Sequence, residues 1–297
     1  MTKLDEREAA SDGTSIKNVP SLAVQFFLIP LAVVGVVVLI YGGFRMLVMD
    51  ERTPEEYLND VRVGGRERRW PAAYELSRLL ADPGIQGQYP GIGSAVVDAF
   101  AGSEGDDPRV RRYLALAVGR LAVLPENAVR ELLTGLEDPD SETVISVIWA
   151  LAATGDSAVV DPLEKMYESD DAGIRKMTVY ALGVLPSSAE AETLQRALID
   201  EVPDVRWNAA LALARHRREE GVTVLRQMLD REYVERNVSR TPARSANIDP
   251  VAEVMVSSLQ AVGVLQAIEF RSEVVRLSEN DASLRVREVA MKTLEML

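Results

Sequence analysis

The sequence contains no cysteine, a single histidine and only 5% aromatic residues. Without cysteine there are no disulfides, thiolate-held zinc sites, cysteine nucleophiles or lipidated N-terminal cysteine. The lone histidine, His216, lies in ARHRREE at a helix end, where a solvated or carbonyl-bonding role is expected. No Ser/His/Asp arrangement, metal-spaced cluster or nucleotide fingerprint appears. GIGS (Gly91–Ser94) lacks the preceding strand and the following Lys-Ser/Thr of a phosphate loop. The chain is therefore expected to be neither an enzyme nor a cofactor or metal carrier. A basic surplus is missing too: the formal charge is −13, and residues 1–48 sum to zero, which places the whole acidic excess in residues 49–297. An acidic domain repels phosphate backbones, so nucleic acid is not an expected partner.

Charge is also missing locally. Residues 1–19 are mostly polar and charged without apolar period, as in a disordered tail. From Asn18 to Phe44 no residue is charged, and FFLIPLAVVGVVVLIYGGF is strongly apolar. About 20 apolar residues cross a bilayer as a helix. The run is too long for a signal peptide, its start is mixed in charge, and no A-x-A site follows. Residues 20–48 are thus expected to be a single transmembrane helix, kinked at Pro30, with Tyr41 and Phe44 near a headgroup layer. Arginines follow it more densely than cations precede it. That asymmetry places the C-terminal side in the cytoplasm of a single-pass inner-membrane protein, with Arg62, Arg66, Arg68 and Arg69 suited to anionic headgroups.

What is abundant is one repeated helix. In VRWNAALALA (Val205–Ala214), Val205, Ala209 and Ala212 share an apolar face, with Leu213 at its edge. The same frame fits helices beginning near Arg68, Val110, Thr143, Ile174, Val254 and Val286. At the frame's eighth position Ala117, Ala150, Ala181, Ala212, Ala261 and Thr293 follow at spacings of 33, 31, 31, 49 and 32. A first helix precedes each motif helix, at about 92–102, 126–136, 157–168, 188–199, 220–229 and 268–279. Another opens at Thr53-Pro-Glu-Glu with a capping box. Asp-Pro pairs at 82–83, 107–108, 138–139, 161–162 and 249–250 read as helix starts.

DDPRVRRYLALAVG (Asp106–Gly119) and VPDVRWNAALALA (Val202–Ala214) resemble HEAT repeats, closest to the short bacterial, PBS-lyase-like type. The resemblance covers about 240 residues. It implies an all-α, right-handed α-solenoid of about six to seven helix pairs over residues 49–297, with an extended concave surface. Two insertions break the period, near 81–94 and 231–249. The second carries Arg236, Arg240 and Arg244, a basic island suited to acidic partners or headgroups. The second motif position carries Arg69, Arg111, Arg175, Arg206 and Arg287, with Asp107, Asp140, Asp171 and Asp204 shortly before the same helices. The resemblance implies that such Arg and Asp residues tie neighbouring repeats.

Positions 3 and 7 lie roughly opposite the apolar stripe, at 100° per residue. They hold Trp70, Tyr74, Trp149, Tyr180 and Trp207, candidate anchors for a partner because Trp and Tyr dominate interface hot spots. The expected function is a membrane-anchored scaffold or adaptor that binds a protein, docked on or part of a membrane complex. The alternative implied by the resemblance is a bilin-lyase-like protein that holds a chromophore in the groove.

Overall fold

The computed structural model describes residues 29–48, 52–186, 192–238 and 249–297. The tail 1–19, the start of the apolar run, and Arg240 and Arg244 lie outside them. The chain divides into two units, Met1–Thr53 and Pro54–Leu297. In the first unit, helix α1 (Ile29–Val48, 20 residues) contains Pro30. Its described side chains, 30–43, are all exposed, Leu39 at 75% and Leu31 at 67%. Among the described residues no helix is long and apolar enough to cross a membrane.

The second unit is an all-helical repeat solenoid; its described residues contain helices and turns but no strand. The motif helices are α3 (Arg66–Leu79), α6 (Pro108–Val118), α8 (Ser141–Thr154), α10 (Ala172–Val184), α12 (Pro203–Arg215), α15 (Pro250–Leu265) and α17 (Leu284–Leu294). Each packs on the next in that order, forming one layer. The first helices are α2 (Pro54–Val63), α5 (Ile92–Ala101), α7 (Ala128–Thr134), α9 (Val160–Met166), α11 (Glu192–Arg196), α13 (Val222–Met228) and α16 (Arg271–Asn280). Each packs on its own motif helix.

The caps explain the starts. Asp82, Asp107 and Asp249 accept N–H bonds ahead of a proline, as expected. Two Asp-Pro pairs behave differently. Asp138 closes the 3-10 turn Gly135–Glu137 while Asp140 caps α8, and Asp161-Pro162 lies inside α9. The insertion at 81–94 is not wholly loop: helix α4 (Pro83–Gln88) starts on Asp82. The Gln86 side chain fastens it, donating to Leu80 O and Arg120 O and accepting from Ala122 N. The second insertion contains helix α14 (Arg231–Asn237), capped by Asp230.

Close layer packing rests on small residues. The eighth-position Ala117, Ala150, Ala181 and Ala212 are fully buried. Two positions further on, a Cβ on Gly119 would lie 2.7 Å from Ala150 Cα, and one on Gly183 would lie 2.5 Å from Ala212 Cβ. Gly119, Ala152, Gly183, Ala214 and Gly263 all occupy this position. The apolar side chains form two clusters, one running from Leu58 to Leu213 and one from Trp207 to Ala290.

Candidate functional site

Four of the five second-position arginines, Arg69, Arg111, Arg175 and Arg206, act as struts between repeats, though their partners differ from those the spacing suggests. Arg69 pairs with Asp106, Arg111 Nε with Asp138 at 2.6 Å, and Arg175 Nε with Asp200 at 2.9 Å. Asp107, Asp140 and Asp171 instead cap the motif helices, and Asp204 pairs with Lys176 at 3.7 Å. A cap must face its own helix N–H groups, so the second-position arginines meet an aspartate earlier in the turn, while Asp140 both caps α8 and pairs with Arg112 at 3.2 Å. Arg206 donates to Asp200 O at 2.6 Å and to Tyr233 Oη at 3.1 Å, reaching the next repeat. Arg111, Asp138, Arg175 and Asp200 are nearly buried, where removal of one partner strands a charge.

A groove of about 630 Å³ opens along the layer of α8, α10, α12 and α15. Trp149, Tyr180 and Trp207 converge in it with Met177, Leu211, Met228, Val238 and Val254. Its polar lining is Lys176, Asp204, Asn208, Glu253 and Ser257. Several polar groups of the lining bond to one another or to a neighbour. Asn208 Nδ2 donates to Asp204 O at 2.7 Å, Ser257 Oγ to Glu253 O at 2.9 Å, and Arg285 pairs with Glu253. The Arg120 and Arg215 guanidinium groups lie over the Trp149 and Tyr180 rings at 5.8 and 5.6 Å, holding the aromatic walls from behind.

Trp207 corrects one expectation. It does not project freely from the helix but is 4% exposed and belongs to the second core cluster, with Met228 of α13 and Val238 of the lengthened stretch lining the same groove. It is the floor of the groove rather than a protruding anchor. Its buried Nε1–H has no hydrogen-bond partner. A buried donor left without an acceptor costs about 1–3 kcal/mol, so such a group calls for an explanation.

Trp70 and Tyr74 stand apart from the groove. Tyr74 meets Tyr113 edge to face at 5.2 Å, and Arg109 lies over Trp70 at 5.0 Å. Arg236 is exposed and bonds to Glu232 O within its own helix. Of the four arginines that follow α1 in sequence, Arg66 and Arg68 are exposed, Arg62 donates to Ala95 O, and Arg69 is engaged by Asp106 and Val61 O. His216 Nε2 sits 3.0 Å from Leu182 O; a carbonyl only accepts, so Nε2 carries the proton. Among the described residues no cluster of His, Asp or Glu fits a metal ion.

Asn208, Ser257, Met177 and Tyr113 occupy the fourth motif position. Their place in the groove or beside Tyr74 is a periodicity that attention to positions 3 and 7 passes over. A second concavity of about 740 Å³ opens between α13, α14 and α16. Its charges largely pair within it, Arg231 with Asp281 and Arg226 with Glu273.

Residues 99–183 and 168–240 match the family of HEAT repeats. An all-helical repeat solenoid is the class this fold defines, and its central stretch is similar to HEAT repeats. No curated protein matches the chain. Among solved structures, an engineered protein from the Northeast Structural Genomics Consortium is 18% identical, with 82% of this chain and 95% of that one covered, at a TM-score of 0.44. A designed armadillo repeat protein in complex with the peptide (KR)4 is 14% identical, with 83% and 99% covered, also at 0.44. Scores at this level carry no further weight.

Proposed function

We propose that this chain is a non-catalytic, membrane-anchored scaffold whose motif-helix layer binds a protein partner. The supporting observation is the convergence of Trp149, Tyr180 and Trp207 in one groove across four successive motif helices. Aromatic side chains bring large contact area at low entropic cost, which suits them to the centre of an interface. No observation favours the chromophore-handling alternative.

The anchoring part of the reading rests on α1 and the uncharged residues before it. Its described side chains are apolar and exposed, an arrangement that costs free energy in water and none in hydrocarbon. Arg45, Arg52 and Arg62 supply the cytoplasmic bias, and Arg66 and Arg68, exposed at the start of α3, would add about 1 kcal/mol each near an anionic surface. Tethering raises the effective concentration of the solenoid for membrane-resident partners. The test is affinity recovery of the tagged full chain from its own membranes, wild type beside W149A/Y180A and N208R/S257R, with helix content checked by circular dichroism. The reading expects a specific protein to be lost from both variants; equal recovery by all three overturns it.

A further inference from the structure

The motif helices differ in what covers the face each turns toward the following repeat. At the sixth motif position Ala73, Ala115, Ile148, Val179, Ala210 and Leu259 are fully buried, whereas their counterpart on α17, Met291, is 53% exposed. No motif helix lies beyond α17 among the described residues. Leu284, Arg287 and Glu295 share the face of Met291, at three-, four- and four-residue steps along the helix. Leu284 is 74% exposed. Arg287 holds the second motif position, the strut position of the other repeats. Neighbouring charges on α17 are engaged, Arg285 with Glu253 and Lys292 with Glu288, but Arg287 and Glu295 have no ion-pair partner among the described residues. A repeat that ends a solenoid in water turns a polar face outward. Here two large apolar side chains alternate with two unpaired charges of opposite sign.

The two ways of setting a second copy on this face are not equivalent. Head to tail, the receiving helix would be α3, whose first and eighth positions are Arg68 and Glu75 where interior helices carry pairs such as Val205 and Ala212. The turn before α3, Gly64-Gly65, also offers no aspartate to Arg287. Face to face, a two-fold axis at Met291 sets the two α17 helices antiparallel. Arg287 and Glu295 lie four residues to either side of Met291, so each falls opposite the other on the second copy. At 1.5 Å per residue each charge is about 6 Å from the axis, a separation that an arginine side chain bridges. Leu284 then lies beside the second copy's Met296 and Leu297.

We propose that α17 is a self-association surface, on which two copies of this chain pack antiparallel about Met291 and are held by two Arg287–Glu295 pairs. An isologous contact closes on itself, so it gives a dimer and no filament. One helix face per copy is less than the roughly 800 Å² a side of a standard interface, so association is expected to be weak, at about micromolar concentration. The surface is separate from the groove of Trp149, Tyr180 and Trp207, and either can fail without the other.

The test uses the full chain in detergent micelles. The native sequence has no cysteine, so in M291C the new thiol is the only one. K165C, exposed on α9, is the control. Under copper–phenanthroline oxidation M291C is expected to form a disulfide-linked dimer and K165C to stay monomeric. Sedimentation velocity reads the reversible dimer, and co-recovery of differently tagged chains reads the mixed one. R287E and E295R are each expected to weaken dimerisation about tenfold, because the two-fold axis applies each loss twice. An equimolar mixture of R287E and E295R is expected to regain near wild-type association, since both pairs in the mixed dimer again join opposite charges. A monomeric wild type, M291C linking no faster than K165C, or a mixture no better than its components overturns the inference. Association through α1 would leave all variants alike and overturns it too. A photoreactive group at position 291 that marks a different protein in native membranes, and never a second copy, assigns the face to that protein and rejects self-association.

Discussion

Arg175 on α10 donates from Nε to Asp200 at 2.9 Å, and its Nη1 reaches Ser169 O and Asp170 O at 3.0 Å. One side chain thus ties the turn before its own helix to the turn before α12. The Tyr167 hydroxyl donates to the same Asp200 carboxylate at 3.0 Å. Removal of one partner from a nearly buried pair of this kind costs about 3–5 kcal/mol. D200A is expected to lose that much in denaturant unfolding. R175M/D200L, which removes both charges, is expected to lose markedly less. Equal losses would show that packing, not a stranded charge, dominates.

The same cluster sets a pH dependence with two limbs. Burial pushes the Asp200 carboxyl up, but the bonds from Arg175, Val202 N–H and Tyr167 hold it below its usual range. The folded state therefore binds fewer protons than the unfolded one. That stability is full above the unfolded carboxylate value near 4 and is lost as pH falls below it. Tyr167 is pushed up to about 12 by burial and by its bond to Asp200. Its contribution is complete below about pH 10 and fades as pH rises toward 12. Melting temperature against pH should show both limbs, the acid one shallower in D200N and the alkaline one absent in Y167F.

Glycine at the tenth motif position makes a packing prediction. G119A would set a Cβ 2.7 Å from Ala150 Cα and 2.8 Å from the Trp149 ring, so backbone must move. A loss of about 1–3 kcal/mol is expected, with a changed Trp149 fluorescence. G87A, with nothing within 4 Å, serves as the control and should be close to neutral.

Much of the layered fold is legible in the sequence, because Val205, Ala209 and Ala212 and their counterparts repeat a face that only stacking can bury. The first helices are visible for the same reason, and their 3-10 ends, such as Gly135–Glu137 and Ala197–Ile199, are not, since a three-residue turn leaves no period. The struts are half legible. Arg69, Arg111 and Arg175 announce themselves by position, but which of several nearby aspartates caps and which pairs depends on backbone direction. The site is least legible at Trp207. Its helical angle points it outward, yet it is buried in a cluster with Met228 of α13 and Val234 of the lengthened stretch, which the motif alone does not announce.

The anchor is tested by charge. V36K/L39K puts two cations into α1, each costing about 2.5–3.5 kcal/mol at a bilayer centre. The wild-type chain is expected to remain with membranes after carbonate extraction and the variant to appear in the soluble fraction. Identical partitioning of the two would remove the anchoring reading and leave the solenoid's groove untouched.

The most direct test of the central claim is site-specific photocrosslinking of the full chain in its native membranes. A photoreactive phenylalanine analogue at Asn208 or Ser257 reports on the groove, and the same group at Val275 on α16 reports on the first-helix layer. Adducts to one discrete protein at positions 208 and 257, absent at 275, are predicted. Adducts at 275 alone, or none at the groove positions, would contradict a scaffold that binds its partner through Trp149, Tyr180 and Trp207.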